Sequence, residues 1–356
     1  MKWVNKVLLG LGLGFLVYLV WKTGPGELWR QVEALGWGVL LLVGAEGLAN
    51  LAHTVGWRHC IQGAAGRVDL RDLFRMATAG YAINYLTPTA SVGGEVSRAA
   101  LLATHQKGHQ AVTSVLLDKL MTAIAHLALV VGGALLLLWR VSLPIELWVG
   151  MGVVTALLTG GMTAFLLLQK HGKLGSLCRW LVEHKLGGRA LQESAEQLSK
   201  VDRALQQFYR EHPGHLVLSV AWHIVGHAVA LLHAWLFLWL LGQPAPLATV
   251  ASAGLLSLWF DLLTFAVPMN LGTLEGSRIV VFKALGCQAL LGMAFGVAVR
   301  IAQVFWACFG LACYARFNAP ASRQGSAKPD ASLAGVAASA TADLPRGLRG
   351  QRTNDR

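Results

Sequence analysis

Apolar runs too long for the core of a soluble domain recur along this chain. Leu127–Trp139 and Leu216–Leu241 are the clearest of them. A helix needs about twenty apolar residues to cross a bilayer, and runs of this kind read as membrane spans. They fall at about 7–22, 37–60, 111–139, 145–168, 214–241 and 288–316. Two further segments, 72–103 and 247–284, are equally apolar but are broken by Pro and Gly. Backbone that leaves the helix at membrane depth persists only when it is buried in protein or lines a cavity. The predicted fold is therefore all-α: a polytopic helical membrane protein with six full spans and two broken or re-entrant hairpins. Composition agrees, with 55% hydrophobic and 13% charged residues against about 25% charged in soluble domains. That balance excludes an ordinary cytosolic enzyme or a nucleic-acid-binding domain. The net charge of +12 does not restore the latter, because the basic residues lie between the apolar runs, where lipid headgroups sit.

The two broken segments match each other. The first reads Pro88-Thr-Ala-Ser-Val-Gly93-Gly94-Glu95-Val-Ser97-Arg98, the second Pro268-Met-Asn-Leu-Gly272-Thr-Leu-Glu275-Gly-Ser277-Arg278. Both follow P-x6-E-x-S-R at an offset of 268 − 88 = 180. At the same offset His53 matches His233 in the preceding span. The spans at 37–60 and 214–241 are expected to run in opposite directions, which makes the two units inverted repeats. Inverted repeats with Pro/Gly-interrupted segments point to a transporter whose site lies at the repeat interface. The alternative is a duplicated scaffold in which E-x-x-R is a static salt bridge.

Pro and Gly break the helix, so each following half-helix turns free N–H groups and its positive end toward the break. Arg98 and Arg278 lie close to that end and match a phosphate bidentately. Glu95 and Glu275 stand three residues before their arginines, on the same face, where each can neutralise its Arg. A second set of polar residues accompanies the motif. Glu46, Asn50 and His53 form one stripe on the second span, facing either a wet cavity or a hydrogen-bonded seam. Asp118 and Lys119 begin a long span and either pair locally or close a gate; Arg300 and Gln303 occupy the comparable zone of the second repeat. His223 and His227 are spaced for a metal or haem, but no HExxH or Cys partner accompanies them, and they read as structural. Gly-x-Ser-x-Gly, P-loop and dinucleotide patterns do not occur. No cofactor and no metal are expected.

Lys and Arg are dense at the N-terminus (Lys2, Lys6), over 58–75, over 169–213 and in the tail, while 24–36 and 140–146 hold only Arg30 and Arg140. By the positive-inside rule both termini and the 169–213 segment are cytoplasmic, and 24–36 and 140–146 are loops on the other side. Residues 191–209 are expected to form an amphipathic helix. Residues 1–318 make the membrane domain, with repeats at about 37–139 and 214–316 and a linker at 169–213. Residues 319–356, rich in Ala, Gly, Ser, Pro and Arg without aromatics, read as a disordered tail. The first apolar stretch reads as an uncleaved span, since Thr23-Gly-Pro-Gly26 is a poor signal-peptidase site. Five cysteines without a CxxC read as buried thiols.

"INYLTPTASVGGEVSRAALL" (83–102) with "AVTSVLLDKL" (111–120), and then "FAVPMNLGTLEGSR" (265–278) with "GVAVRIAQ" (296–303), resemble the two signatures of the lysylphosphatidylglycerol synthase transmembrane-region family, also called flippase-like. The resemblance runs from about residue 5 to 316. It implies a domain that moves lipids between leaflets, as in multiple peptide resistance factors, and the wording from Asn84 to Glu95 leans toward the hopanoid-associated branch. Residues beyond 318 are too few for the soluble aminoacyl-transferase domain of those factors, so lipid aminoacylation is not expected. The resulting expectation is an inner-membrane lipid transporter, more a transporter than an enzyme. It would bind a phospholipid or polyisoprenoid lipid of anionic or polar headgroup at Asn84, Pro88, Gly93, Gly94, Glu95, Arg98, Asp118, Pro268, Gly272, Glu275, Arg278 and Arg300. The alternatives are a membrane-embedded transferase acting on a lipid-linked substrate and a non-catalytic partner of lipid-synthesis enzymes. No nucleic acid is expected as a partner.

Overall fold

The structure is a computed structural model. It describes residues 2–61, 68–86, 92–140, 145–170, 203, 205–243, 245–264 and 268–318. Those residues are almost entirely helical and contain no strand. In chain order the helices are α1 (Lys2–Thr23), α2 (Pro25–Leu35), α3 (Val39–Arg58), α4 (Leu70–Leu86), α5 (Val92–Leu102), α6 (Gly108–Arg140) and α7 (Ile145–Lys170). Then follow α8 (Pro213–Leu240), α9 (Leu247–Thr264), α10 (Thr273–Ala284) and α11 (Ala289–Asn318). Among the described residues four stretches are long and apolar enough to cross a membrane: Pro25–Arg58, Gly108–Leu135, Pro213–Leu240 and Ala289–Phe317. Shorter apolar helical stretches lie at Leu13–Thr23 in α1, Trp148–Ala164 in α7 and Leu247–Leu262 in α9. The chain is thus a polytopic helical membrane protein.

The expected loop at 24–36 is a helix instead. Pro25 opens α2 at its first turn, where proline's fixed φ suits the helix and no N–H is lost. Leu28 and Leu35 are buried while Trp29 is exposed, so α2 has an apolar face the loop reading missed. A 3-10 turn at Gly36–Gly38 joins it to α3.

The repeat visible in the sequence is carried by whole elements. Adding 180 to the bounds of α3, α4, α5 and α6 gives 219–238, 250–266, 272–282 and 288–320, which overlay α8, α9, α10 and α11. Their packing has the same symmetry. α4 packs on α11 as α9 packs on α6; α6 packs on α8 as α11 packs on α3; α5 packs on α4 and α6 as α10 packs on α9 and α11. The equivalent helices α3 and α8 pack on each other. A Cβ at Gly56 would meet His223, and one at Gly226 would meet His53. Further along, His233 lies beside Glu46 and Leu240 beside Gly38. Each step back along α3 is a step forward along α8, so the two run antiparallel. Equivalent helices that lie antiparallel against each other define an inverted pair of units.

Two apolar clusters sit at opposite ends of the α3–α8 pair. One gathers Leu42 with Phe237, Phe282 and Phe295. The other gathers Trp57 with Leu73, Met76, Leu102 and Leu117. Each therefore holds one broken hairpin, and the polar stripe of α3 lies between them. Inside a membrane, contact rather than water exclusion holds helices together. Small residues supply it: a Cβ at Gly310 would strike the Thr78 carbonyl, and one at Gly47 would strike the Trp306 ring.

Candidate functional site

In the first repeat α4 and α5 approach at two glycines. A Cβ at Gly94 would collide with the Gly80 carbonyl and with Asn84, and one at Gly80 would collide with the Arg98 side chain. Arg98 is therefore laid across Gly80. One amide of the free helix N-terminus expected here is occupied. Asn84 Oδ1 accepts the Gly94 N–H at 2.6 Å, while Asn84 Nδ2 donates to Glu95 Oε2 at 3.0 Å. Gly93 is used through its carbonyl, which accepts from Ser97 Oγ at 2.8 Å. Pro88 lies outside the described residues.

The expected pairing within each E-x-x-R does not form. Glu95 Oε1 instead accepts from Lys119 Nζ at 2.8 Å, and Arg98 donates to Asp118 Oδ2 at 2.6 Å. Both partners come from α6, across the helix interface. Asp118 and Lys119 do not pair locally; each serves a different motif residue. Pairs three apart do form elsewhere, as between Asp72 and Arg75, but here α6 brings an opposite charge to each motif residue across the helix interface. Arg98 also lies over the Trp57 ring, 3.9 Å from its centre, a cation–π contact.

The second repeat uses the same residue types differently. Pro268–Asn270 forms a 3-10 turn, and Met269 and Asn270 have positive φ. Gly272, at φ 74, precedes α10 and takes a conformation that other residues adopt only at a cost. Gly292 and Gly296 of α11 let α10 lie close, since a Cβ at either would meet the backbone of Arg278 or Glu275. Glu275 is fully buried and pairs with Arg300 through both carboxylate oxygens. Arg300 also donates to the Met269 and Asn270 carbonyls at 3.0 and 2.9 Å and to Tyr85 Oη at 3.2 Å. It thereby clasps the helix break. Arg278 donates to both oxygens of Asp261 at 2.9 Å and to the Ser257 carbonyl at 3.2 Å.

The two arginines thus differ. Arg278 is held by a bidentate carboxylate and a carbonyl. Arg98 makes one hydrogen bond among the described residues; the buried Nε of both arginines has no partner there. Formal charge in each repeat balances: Glu95 and Asp118 against Arg98 and Lys119, Glu275 and Asp261 against Arg278 and Arg300.

The Glu46–Asn50–His53 stripe forms the seam with α8. His233 Nε2 lies 3.8 Å from Glu46 and donates to the Leu42 carbonyl at 3.1 Å. His53 meets His223. His126 and Trp57 were not singled out from the sequence. His126 had a signal, because Asp118, Thr122 and His126 recur every four residues; Trp57 had none. Among the described cysteines Cys308 is exposed, against expectation, while Cys60 and Cys313 are buried. An apolar groove of about 920 Å3 lies between α6 and α7, lined by Val131, Leu135, Trp148 and Thr159 among others; no motif residue lines it.

A helical membrane bundle of two inverted units, each with a charge-balanced cluster at a broken helix, is the class of protein defined here. The chain belongs to the family described as the lysylphosphatidylglycerol synthase TM region, which matches residues 3–311. It is also similar to a UPF0104 membrane protein of Methanothermobacter thermautotrophicus, with 23% identity over 343 residues, covering 91% of this chain and 98% of that protein. No solved structure matches it.

Proposed function

We propose that this protein binds a membrane lipid with an anionic or polar headgroup and carries it between leaflets. Arg98 carries the reading. It is a largely buried guanidinium at a broken helix, with one hydrogen bond among the described residues and a buried Nε that has none. A phosphate oxygen is the natural partner for such a group, and desolvated cations at this depth are usually functional. Asn84, Gly94 and Glu95 fix its helix, Lys119 flanks it, and Arg278 with Asp261, Glu275 and Arg300 forms the counterpart of the other unit.

The broken hairpins are read as re-entrant. At 1.5 Å per residue, the 11 residues of α5 and the 12 of α10 reach less than about 20 Å, short of a hydrocarbon core of about 30 Å. The two units are taken as 37–139 and 214–316. The membrane is read as the bacterial inner membrane, and the Lys and Arg distribution supports both termini being cytoplasmic.

The test is translocation of fluorescent phosphatidylglycerol in vesicles containing the purified protein. Arg98→Ala is expected to slow it at least about tenfold, equivalent to 1.4 kcal/mol, without loss of folded protein. Wild-type speed in Arg98→Ala would sink the assignment.

A further inference from the structure

Four histidines meet inside the helix bundle. His53 Nδ1 and His223 Nδ1 are 2.8 Å apart. The rings of His53 and His227 lie 4.8 Å apart centre to centre, and those of His227 and His126 4.6 Å. His223 Nε2 lies 3.0 Å from Asp118 Oδ1, and the other oxygen of that carboxylate holds Arg98. Among the described residues no group of three or more His, Cys, Asp or Glu is placed to hold a metal ion. A different ligand fits: the proton.

Two Nδ1 atoms at hydrogen-bond distance share one proton. Asp118, an acceptor, fixes the His223 proton on Nε2, so the neutral His223 offers a lone pair at Nδ1 and His53 donates to it. His53 Nε2 then remains as the acceptor for a second proton; it has no hydrogen-bond partner among the described residues. Once protonated there, His53 passes charge through Nδ1–H to His223, which becomes an imidazolium against Asp118. The other charged or titratable groups facing the pair are Arg98 from α5, His126 from α6 and His227 from α8, and Thr122 Oγ1 of α6 lies 3.3 Å from His223 Nδ1 and 3.2 Å from its Nε2. α9 contributes the Leu258 carbonyl, which accepts from His126 at 2.9 Å.

A polar track leads from the helix ends to this cluster. On α8, residues His215, Ser219, His223 and His227 recur every four positions. At the exposed end His215 Nδ1 lies 3.1 Å from His59 Nδ1, and one turn along α8 Ser219 Oγ lies 3.3 Å from Cys60 Sγ. Histidine and carboxylate chains of this kind conduct protons in membrane transporters.

We propose that the track along α8 delivers a proton to the His53–His223 pair, and that this proton decides whether Asp118 holds Arg98. An added positive charge satisfies Asp118 and repels Arg98, which turns to an anionic headgroup; loss of the proton returns Arg98 to Asp118. The inference rests on the lipid reading above and adds to it a proton-controlled grip on the headgroup.

The experiment uses the full chain in nanodiscs of phosphatidylcholine and phosphatidylglycerol. Ring nitrogen NMR on 15N-histidine-labelled protein follows protonation of the His53 and His223 rings, their signals assigned by their loss from the corresponding Gln variants, between about pH 8 and 5, while retention of labelled phosphatidylglycerol is measured across the same range. Wild type is expected to gain an imidazolium on acidification and to retain at least about fivefold more phosphatidylglycerol. His223→Gln and, as a second variant, His53→Gln lose both responses; His233→Gln, outside the track, keeps them. Rings that stay neutral to pH 5 overturn the proposal, as does pH-dependent retention that persists in both variants. Arg98→Ala separates the two readings. If it keeps phosphatidylglycerol at every pH while the histidines still titrate, the lipid site is wrong and the coupling fails with it. If it loses the lipid while wild-type rings never titrate, the lipid site stands and only the proton switch falls.

Discussion

Arg98 and Arg278 stand 180 positions apart in matching motifs, yet their guanidinium groups are satisfied to different degrees. Deleting Arg278 strands the part-exposed Asp261 oxygen pair and the Ser257 carbonyl. Asp118, by contrast, keeps His223 when Arg98 is removed, and Arg98 gives up one hydrogen bond where Arg278 gives up three to Asp261 and Ser257, so Arg278→Ala should lower the melting temperature in detergent more than Arg98→Ala. Equal losses would make Arg98 a structural residue. His59, at the end of α3, carries a pH dependence of its own. Burial, with His215 and Arg58 nearby, pushes its imidazole below the ordinary range. The folded form therefore takes up its proton at lower pH than the unfolded chain does. Stability from this site is intact above the ordinary histidine range and declines as pH falls below it. Thermal unfolding from pH 8 to 5 should lose part of its acid slope in His59→Gln; an unchanged slope would remove His59 from the account. The pair is largely solvent-exposed, which keeps the effect small.

At the scale of elements, glycine sets how closely each short helix lies against its neighbour. Gly296→Val would drive a branched side chain into the Glu275 backbone and pry α10 from α11. Overpacking of this kind costs about 1–3 kcal/mol, and here it also disturbs the Glu275–Arg300 clasp. Gly272→Ala places a Cβ at φ 74, a strain of about 1 kcal/mol. Both variants should fold less stably, measured as a lower melting temperature, with Gly296→Val the worse. The reverse order would mean that the φ of Gly272, rather than the α10–α11 contact, governs the break. The α5 side is built alike, through Gly80 and Gly94, but Asn84 rather than a glycine turn occupies its N-terminal amide.

Across the whole molecule the antiparallel contact of α3 and α8 is the axis of the design. In a background without native cysteines, Gly38→Cys with Leu240→Cys should cross-link on oxidation, because those positions touch. Gly38→Cys with Gly214→Cys, at the far end of α8, should not. The opposite result would require parallel units and would undo the inverted arrangement.

The division between what the sequence holds and what only folding supplies follows from range. Apolar run length announced a membrane bundle, because backbone groups in lipid must be satisfied within a segment. The P-x6-E-x-S-R pair announced the repeat and its two breaks, because duplicated backbone geometry keeps its Pro, Gly and charge spacing. Antiparallel packing of the units agreed with their expected inversion. The pairing of charges was not legible. Spacing along one helix suggested Glu95 with Arg98 and Glu275 with Arg278, whereas α6, α9 and α11 supply the partners Asp118, Lys119, Asp261 and Arg300. The meeting of His53 and His126 with His223 and His227 was hidden for the same reason: each helix displays its own polar stripe, but only the tertiary fold decides which stripes face each other. A buried charge takes the nearest opposite charge in space, and separation along the chain carries no record of that distance.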